Sequence, residues 1–222
     1  VLISANDAFS KLRGPKGTKV AITVAREGLE KPFDLTITRE EIPLYSVPYA
    51  FMLDEATGYV FIRYFAENTT AELEAKLETL RNAGMKNLVL DLRGNVGGPL
   101  FQAIGVADEF LARGESIVSI RGRNPDFDRQ YPATRNGQYE AVPLVVLISQ
   151  GSASASEIVA GAVMDHDRGL ILGEDSWGKS LVQKMFPLSE DTAMALTIAR
   201  YYTPSGRSLQ RDYSHLDDYF LD

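Results

Sequence analysis

The hydrophobic pattern of the chain changes character between residues 40 and 58. Before it, a short segment with helical spacing, ANDAFSKLRG, leads through the turn GPKGT into two alternating runs, KVAITVARE and FDLTITRE. Alternation of period two predicts half-buried strands, here joined through GLEKP. From Gly58 onward, apolar runs and helical stripes take turns. GYVFIRYF, NLVLDL, ESIVSIRG and PLVVLIS predict strands, and LILG, SLVQKMF and AMALTIARYYT close the series. Leu73, Leu77 and Leu80 form one apolar stripe ending at Ala83-Gly84, preceded by Thr69 and Glu72 at capping-box spacing. FQAIGVADEFLARG and the Ala/Val-rich run after Ser156 predict two more helices. NPDFDRQYPATRNGQYEAVP has too few apolar positions for a core and reads as a polar loop, with the acidic aromatic end DYSHLDDYFLD peripheral. Buried strands joined by crossover helices predict an α/β core with mainly parallel strands. Residues 1–40 are too few to be stable alone, so they either pack on 41–222 or lack their beginning.

Composition narrows the chemistry. A chain of 222 residues can hold one substantial core and a smaller partner domain. No run approaches the ~18 apolar residues of a membrane span, so no stable membrane insertion is expected. No basic, apolar, small-residue leader opens the chain. A net charge of −7, without a Lys/Arg stripe among aromatics, speaks against a nucleic-acid partner. The chain has no cysteine, which removes thiolate ligands, disulfides and cysteine nucleophiles. With only His166 and His215, and no HExxH, P-loop or G-x-G-x-x-G after a strand, neither a metal site nor a cofactor is expected.

Two loops at predicted strand ends carry what chemistry remains, because ligands of α/β sheets favour the carboxyl ends of strands. Asp91-Leu92-Arg93-Gly94-Asn95-Val96-Gly97-Gly98 follows one strand, and Gln150-Gly151-Ser152-Ala153-Ser154-Ala155-Ser156 follows another. Glycines let a backbone approach a ligand, and free N–H groups at a helix start attract negative charge. On the motifs alone, a tight turn between strand and helix is the better account of GNVGG, and helix caps or small packing residues of the serines. A serine nucleophile needs a base. His166 lies about three turns along the serines' own helix, and His215 in the polar tail, so neither suits. A lysine serves if it is neutral, which from an ordinary pKa of ~10.4 requires desolvation or nearby positive groups. Lys179 in GEDSWGKSLVQ is the best candidate, opening a predicted strand beside Trp177, an aromatic that can keep water out. Gln183, four residues on, falls on the same strand face, and Lys184 on the other.

Three long segments, LVLDLRGNVGGPLFQAIGVADEFL, GSASASEIVAGAVMDHDRGLILGEDSWGKSLVQ and LTIARYYTPSGRSLQ, occur in this order and closely resemble the C-terminal processing (tail-specific) serine peptidases. The likeness runs over residues 12–210. It implies a crotonase-like α/β protease core and a Ser-Lys dyad that cleaves peptide bonds through an acyl-enzyme. On this sequence the nucleophile is Ser154, the base Lys179, 25 residues further on, and the lysine-positioning amide Gln183. The oxyanion hole falls to the amide of Ala155 and one from Gly97 or Gly98. Asp165 matches an acidic position sometimes linked to activity, a helix-end carboxylate being the other reading. Ser152 and Ser156 are then caps or packing residues.

The family also carries a PDZ domain (α+β) that reads substrate C-termini. Residues 5–39 look like its last helix and closing strands, without the carboxylate-binding glycine loop, so 1–40 are expected to be its C-terminal part and 41–222 the catalytic domain. The resemblance further implies protein or peptide substrates with apolar C-termini, an exported location in periplasm or cell envelope, and room for a homo-oligomer. A binding protein holding an apolar ligand on the same core is the competing reading, against which the joint presence of Ser154, Lys179 and Gln183 argues. A thioester-directed enzyme of the crotonase architecture ranks last.

Overall fold

The computed structural model describes residues 4–41 and 44–212. It divides into two compact units, Val1–Leu44 and Tyr45–Asp222. In the first, α1 (Ala5–Leu12) is capped by Ser4, whose hydroxyl accepts the Asp7 N–H at 3.2 Å. β1 (Lys19–Val24) and β2 (Phe33–Thr38) pair antiparallel, with Lys19 opposite Thr38. Arg39 donates to the carbonyls of Leu12 (2.8 Å) and Lys11 (2.9 Å), fastening the helix end to the hairpin.

The second unit holds the core. β3 (Tyr49–Met52) and β4 (Thr57–Phe61) are followed by α2 (Thr69–Asn82), β5 (Asn87–Asp91), α3 (Leu100–Asp108), β6 (Ser116–Gly122) and β7 (Arg129–Pro132). Then come β8 (Leu144–Ile148), α4 (Ala155–Asp165), β9 (Leu170–Gly173), β10 (Leu181–Pro187) and β11 (Ala193–Tyr202). The five-stranded sheet has the order β3-β4-β5-β8-β9, parallel except for its edge strand β3. The four-stranded sheet, β10-β11-β6-β7, is wholly antiparallel. Mainly parallel pairing therefore describes the first sheet. Leu73 and Leu77 of α2 are fully buried with Val60, Leu90 and Val146 of the sheet, each such side chain contributing about 2 kcal/mol. Among the described residues no helix is long and apolar enough to cross a membrane.

Several local expectations are corrected. Thr69 and Glu72 form no capping box: Asn68 occupies the cap, and the Glu72 carboxylate accepts from Ser46 Oγ, the Val47 N–H and Asn68 Nδ2. Nearby polar groups outcompete the helix end for that carboxylate. The polar stretch 124–143 contains β7 and places Ala133 and Tyr139 in the core, because it pairs with β6 along one edge. The alternation in Tyr49–Met52, too short to register as a run, is a strand because β4 templates it. His215 and most of the acidic tail lie outside the described residues.

Candidate active site

β5 and β8 are parallel neighbours, so the loops after them leave the same end of the sheet side by side. They are stitched together. Ser152 Oγ donates to the Leu92 carbonyl at 2.8 Å, and the Asn95 carbonyl accepts both the Ala153 N–H and Ser156 Oγ at 2.9 Å. Ser149 Oγ accepts the Gly94 N–H at 3.0 Å. Asn95 is fully buried and spends its own amide on the Ile62 carbonyl (2.8 Å) and the Gly97 N–H (2.9 Å).

Between these stitches stands Ser154. Its backbone has φ 55° and ψ −109°, a left-handed conformation that costs a non-glycine residue about 1–3 kcal/mol. Ser152 and Ser156 are buried and their hydroxyls donate to backbone carbonyls, whereas half-buried Ser154 donates its hydroxyl to no group among the described residues. Gly97 (φ 97°) presses against this turn. A Cβ there would stand 2.8 Å from Ser154 Cβ and 2.9 Å from the Ala155 nitrogen. Gly98 instead abuts Phe65, whose carbonyl oxygen would lie 2.1 Å from an added Cβ.

The amides separate the two glycines. The Gly97 N–H is held by Asn95 Oδ1, and the Gly97 carbonyl accepts the Phe65 N–H at 3.0 Å. In a trans peptide the C=O and the next N–H point in opposite directions, so the Gly98 N–H is directed away from Phe65. Neither it nor the Ala155 N–H has a hydrogen-bond partner among the described residues. Ala155 is the first residue of α4, where unpaired N–H groups and the helix dipole favour negative charge.

The lysine segment reaches this turn through one carboxylate. Glu157 is only 3% exposed and accepts the Ser154 N–H (2.6 Å), Ser176 Oγ (2.7 Å), the Gly178 N–H (2.6 Å) and the Lys179 N–H (3.0 Å). The Trp177 N–H adds a bond to the Ser152 carbonyl at 2.9 Å. The Ser154 turn and the lysine backbone thus hang on the same buried carboxylate. Their side chains differ from expectation: Lys179 and Gln183 are exposed and Trp177 is 48% exposed, so the ring does not shield the amine. Lys179 precedes β10 rather than opening it, and among the described residues no hydrogen bond joins it to Ser154 Oγ or to Gln183.

With this geometry in place, kinship can be judged. The model of Peptidase family S41 matches residues 56–216. The chain belongs to that family. It is 44% identical over 209 residues to the carboxy-terminal-processing protease of Bartonella bacilliformis, covering 92% of this chain and 48% of that protein. It is 36% identical over 215 residues to the carboxyl-terminal-processing protease of Synechocystis sp., covering 94% and 49%. The solved photosystem II D1 C-terminal processing protease matches with a TM-score of 0.67 and 34% identity, over 89% of this chain and 54% of that one. A putative S41 protease from Bacteroides fragilis shares the fold at 16% identity and a TM-score of 0.65, over 91% and 59%. The chain spans about half the length of the curated relatives it matches.

The remaining candidates of this S41 chain sit elsewhere. Asp165 ends α4, the opposite end from Ser154, and accepts the Ser205 N–H at 2.9 Å beside Arg207 at 3.4 Å. Burial alone would raise its pKa, yet bonds from Ser205 and Thr203 and the charge of Arg207 hold it below the ordinary value. It pins the turn after β11 to the helix. His166 Nε2 lies 2.7 Å from the Ser116 carbonyl, likewise remote from the serine. Asp91 is buried against the Arg93 guanidinium (Oδ2 to Nη2, 2.6 Å) and the Tyr59 hydroxyl (2.7 Å). Burial opposes its charge, but Arg93 and Tyr59 outweigh burial and lower its pKa, while Tyr59 is pushed up to about 12. This pair shapes the root of the glycine loop. Sequence reasoning missed Glu157 and Asn95. Glu157 stands three residues after Ser154, the capping-box interval, which is the signal that could have found it.

Proposed function

We propose that the chain carries the catalytic domain of a serine endopeptidase that cleaves proteins near their C-termini. Ser154 attacks the scissile carbonyl as Lys179 takes its hydroxyl proton. The Ala155 and Gly98 amides receive the oxyanion, a donor of this kind contributing about 3 kcal/mol to the transition state. Lys179 then protonates the leaving amine, and water hydrolyses the acyl-enzyme. Gln183 orients the lysine. For this, the exposed Lys179 side chain must swing over the serine turn, its backbone already anchored by Glu157. The observation that carries the reading is Ser154 itself: of three serines, it alone has an undonated hydroxyl, on a strained turn beside Gly97 and a helix N-terminus.

The relatives' names supply the substrate class, proteins processed at the carboxyl terminus, with apolar ends in keeping with the resemblance. Residues 1–40 are proposed to be the closing helix and strands of a PDZ domain. Their relatives in bacteria and chloroplasts fit an exported setting. The test is cleavage of an unfolded protein with an apolar C-terminus by the parent, Ser154→Ala and Lys179→Ala, together with labelling by a serine-directed phosphonate. Cleavage and labelling by the parent alone support the dyad. If a parent extended through a whole PDZ domain neither cuts nor labels, the binding-protein reading takes its place.

A further inference from the structure

Arg121 and Arg200 stand directly opposite each other across the antiparallel β6–β11 pair. Residues so paired share a face with Cβ atoms about 4.5–5.5 Å apart, where like charges oppose one another. Both are exposed, and among the described residues neither has a carboxylate within ion-pair distance. The Arg121 guanidinium lies over the Tyr202 ring, 4.9 Å from its centroid, which fixes it on that face. Together with Arg123 and Thr197 these three residues line a hollow of about 360 Å³. Asp128, beside this edge, accepts the Gly122 N–H at 2.8 Å and forms no ion pair among the described residues. In a chain with 30 acidic against 23 basic residues, three arginines gathered without a carboxylate call for an anion from outside.

The register relates this hollow to the lysine segment. Leu181 pairs with Arg200 and Gln183 with Thr197. Leu181 and Gln183 share a face by alternation, so Gln183, Thr197, Arg200 and Arg121 all look outward together. The opposite face carries buried Ala199 and, over the Phe127 ring at 5.6 Å, Lys184. Arg200 is one strand away from β10 and Arg121 two, at about 4.8 Å per strand. An extended peptide gaining about 3.3 Å per residue covers that distance in a few residues.

We propose that Arg121 and Arg200 form a subsite for a peptide carboxylate, foremost the free C-terminal α-carboxylate of the segment beyond the scissile bond. Two guanidiniums converging on one carboxylate relieve their mutual repulsion and give paired, charge-assisted hydrogen bonds. The catalytic domain then reads chain ends itself. The proposal rests on the peptidase reading for its role, but not for its binding chemistry.

The test uses a fluorescent apolar peptide as its free acid, as its C-terminal amide, and as an amide ending in Asp. Anisotropy titrations at low salt compare the 222-residue chain with Arg121→Gln, Arg200→Gln and the double variant. The free acid should bind about tenfold tighter than the plain amide, with the margin shrinking as salt is added. Single variants should lose part of that margin and the double variant all of it. Thermal midpoints and phosphonate labelling of Ser154 should stay at parental values, since both arginines are exposed. Recovery of tight binding by the Asp-ended amide supports the carboxylate subsite and adds side chains as a second source. Equal binding of acid and plain amide by the parent, or an undiminished margin in the double variant, overturns it. Parental labelling with no acid preference sinks the subsite alone, whereas acid preference, when the chain extended through a whole PDZ domain neither labels nor cuts, sinks the peptidase reading alone.

Discussion

The serine turn and the lysine segment meet at Glu157 but are built in opposite ways. Around Ser154, nearly every polar group is buried and committed, from Ser152 and Ser156 to the Asn95 side chain. That network holds a backbone conformation serine disfavours. Around Lys179, the main chain and the Ser176 hydroxyl are fixed, and the side chains of Lys179, Gln183 and Trp177 face solvent. The Ser154 turn is therefore set by the fold, while the Lys179 side chain is tethered at its root and exposed at its tip. A site divided this way can be held complete except for one side-chain movement, which a substrate or a neighbouring domain can supply.

Removing either partner should give the largest effects and test the rigid half first. Ser154→Ala should lower turnover on the order of 10⁴-fold without unfolding the protein. Ser154→Gly should be as inactive yet more stable by about 1 kcal/mol in urea melts, because glycine accepts a positive φ. An unchanged melt would show that the turn is not strained. Lys179→Ala should cost roughly 10³-fold in turnover or more and leave the melting midpoint in place, as the side chain is exposed.

Glu157 is where the halves can be uncoupled. Glu157→Ala leaves the part-buried N–H groups of Ser154, Gly178 and Lys179 without their acceptor, and should destabilise by about 2 kcal/mol. Glu157→Gln keeps the shape and part of the acceptor capacity. Its loss should appear in kcat, about tenfold, with KM little changed, since positioning rather than substrate contact is altered. Equal loss in KM would instead place Glu157 in substrate binding.

The smallest effect lies far from this division. Burial and the facing Glu74 push the Glu109 carboxyl up to about 7, against the pull of Arg135 at 2.9 Å and with a further push from Asp108. The folded protein then keeps a proton that the unfolded chain releases near 4.5. Stability from this group is complete below that pH and fades as pH rises through about 7. Glu109→Gln should flatten the slope of urea midpoints between pH 5 and 8.

Much of this was legible in the pattern of residues. Long apolar runs such as LVLDL and PLVVLI could only be buried strands, and Leu73, Leu77 and Leu80 marked a helix face. Arg129–Pro132 was not legible, because an edge strand paired on one side needs no apolar alternation. The shielding expected of Trp177 failed for a related reason: proximity in sequence says nothing about what covers a side chain.

By itself the sequence determined the kinds of chemistry available, a chain with no cysteine, two histidines and a serine-rich turn before a helix. It also determined the strands and helices whose periodicity is strong enough to survive any packing. Which of the hydroxyls of Ser152, Ser154 and Ser156 are spent on the backbone belonged to tertiary structure, since alternate serines are equivalent until the loop after β5 brings Leu92 and Asn95 beside them. So did the difference between Gly97 and Gly98, and the joining of residues 154 and 179 through Glu157. Propensity and periodicity are local energies that a short segment carries with it. Which hydrogen-bond donors remain unspent is a property of the neighbours, and only the folded chain supplies them.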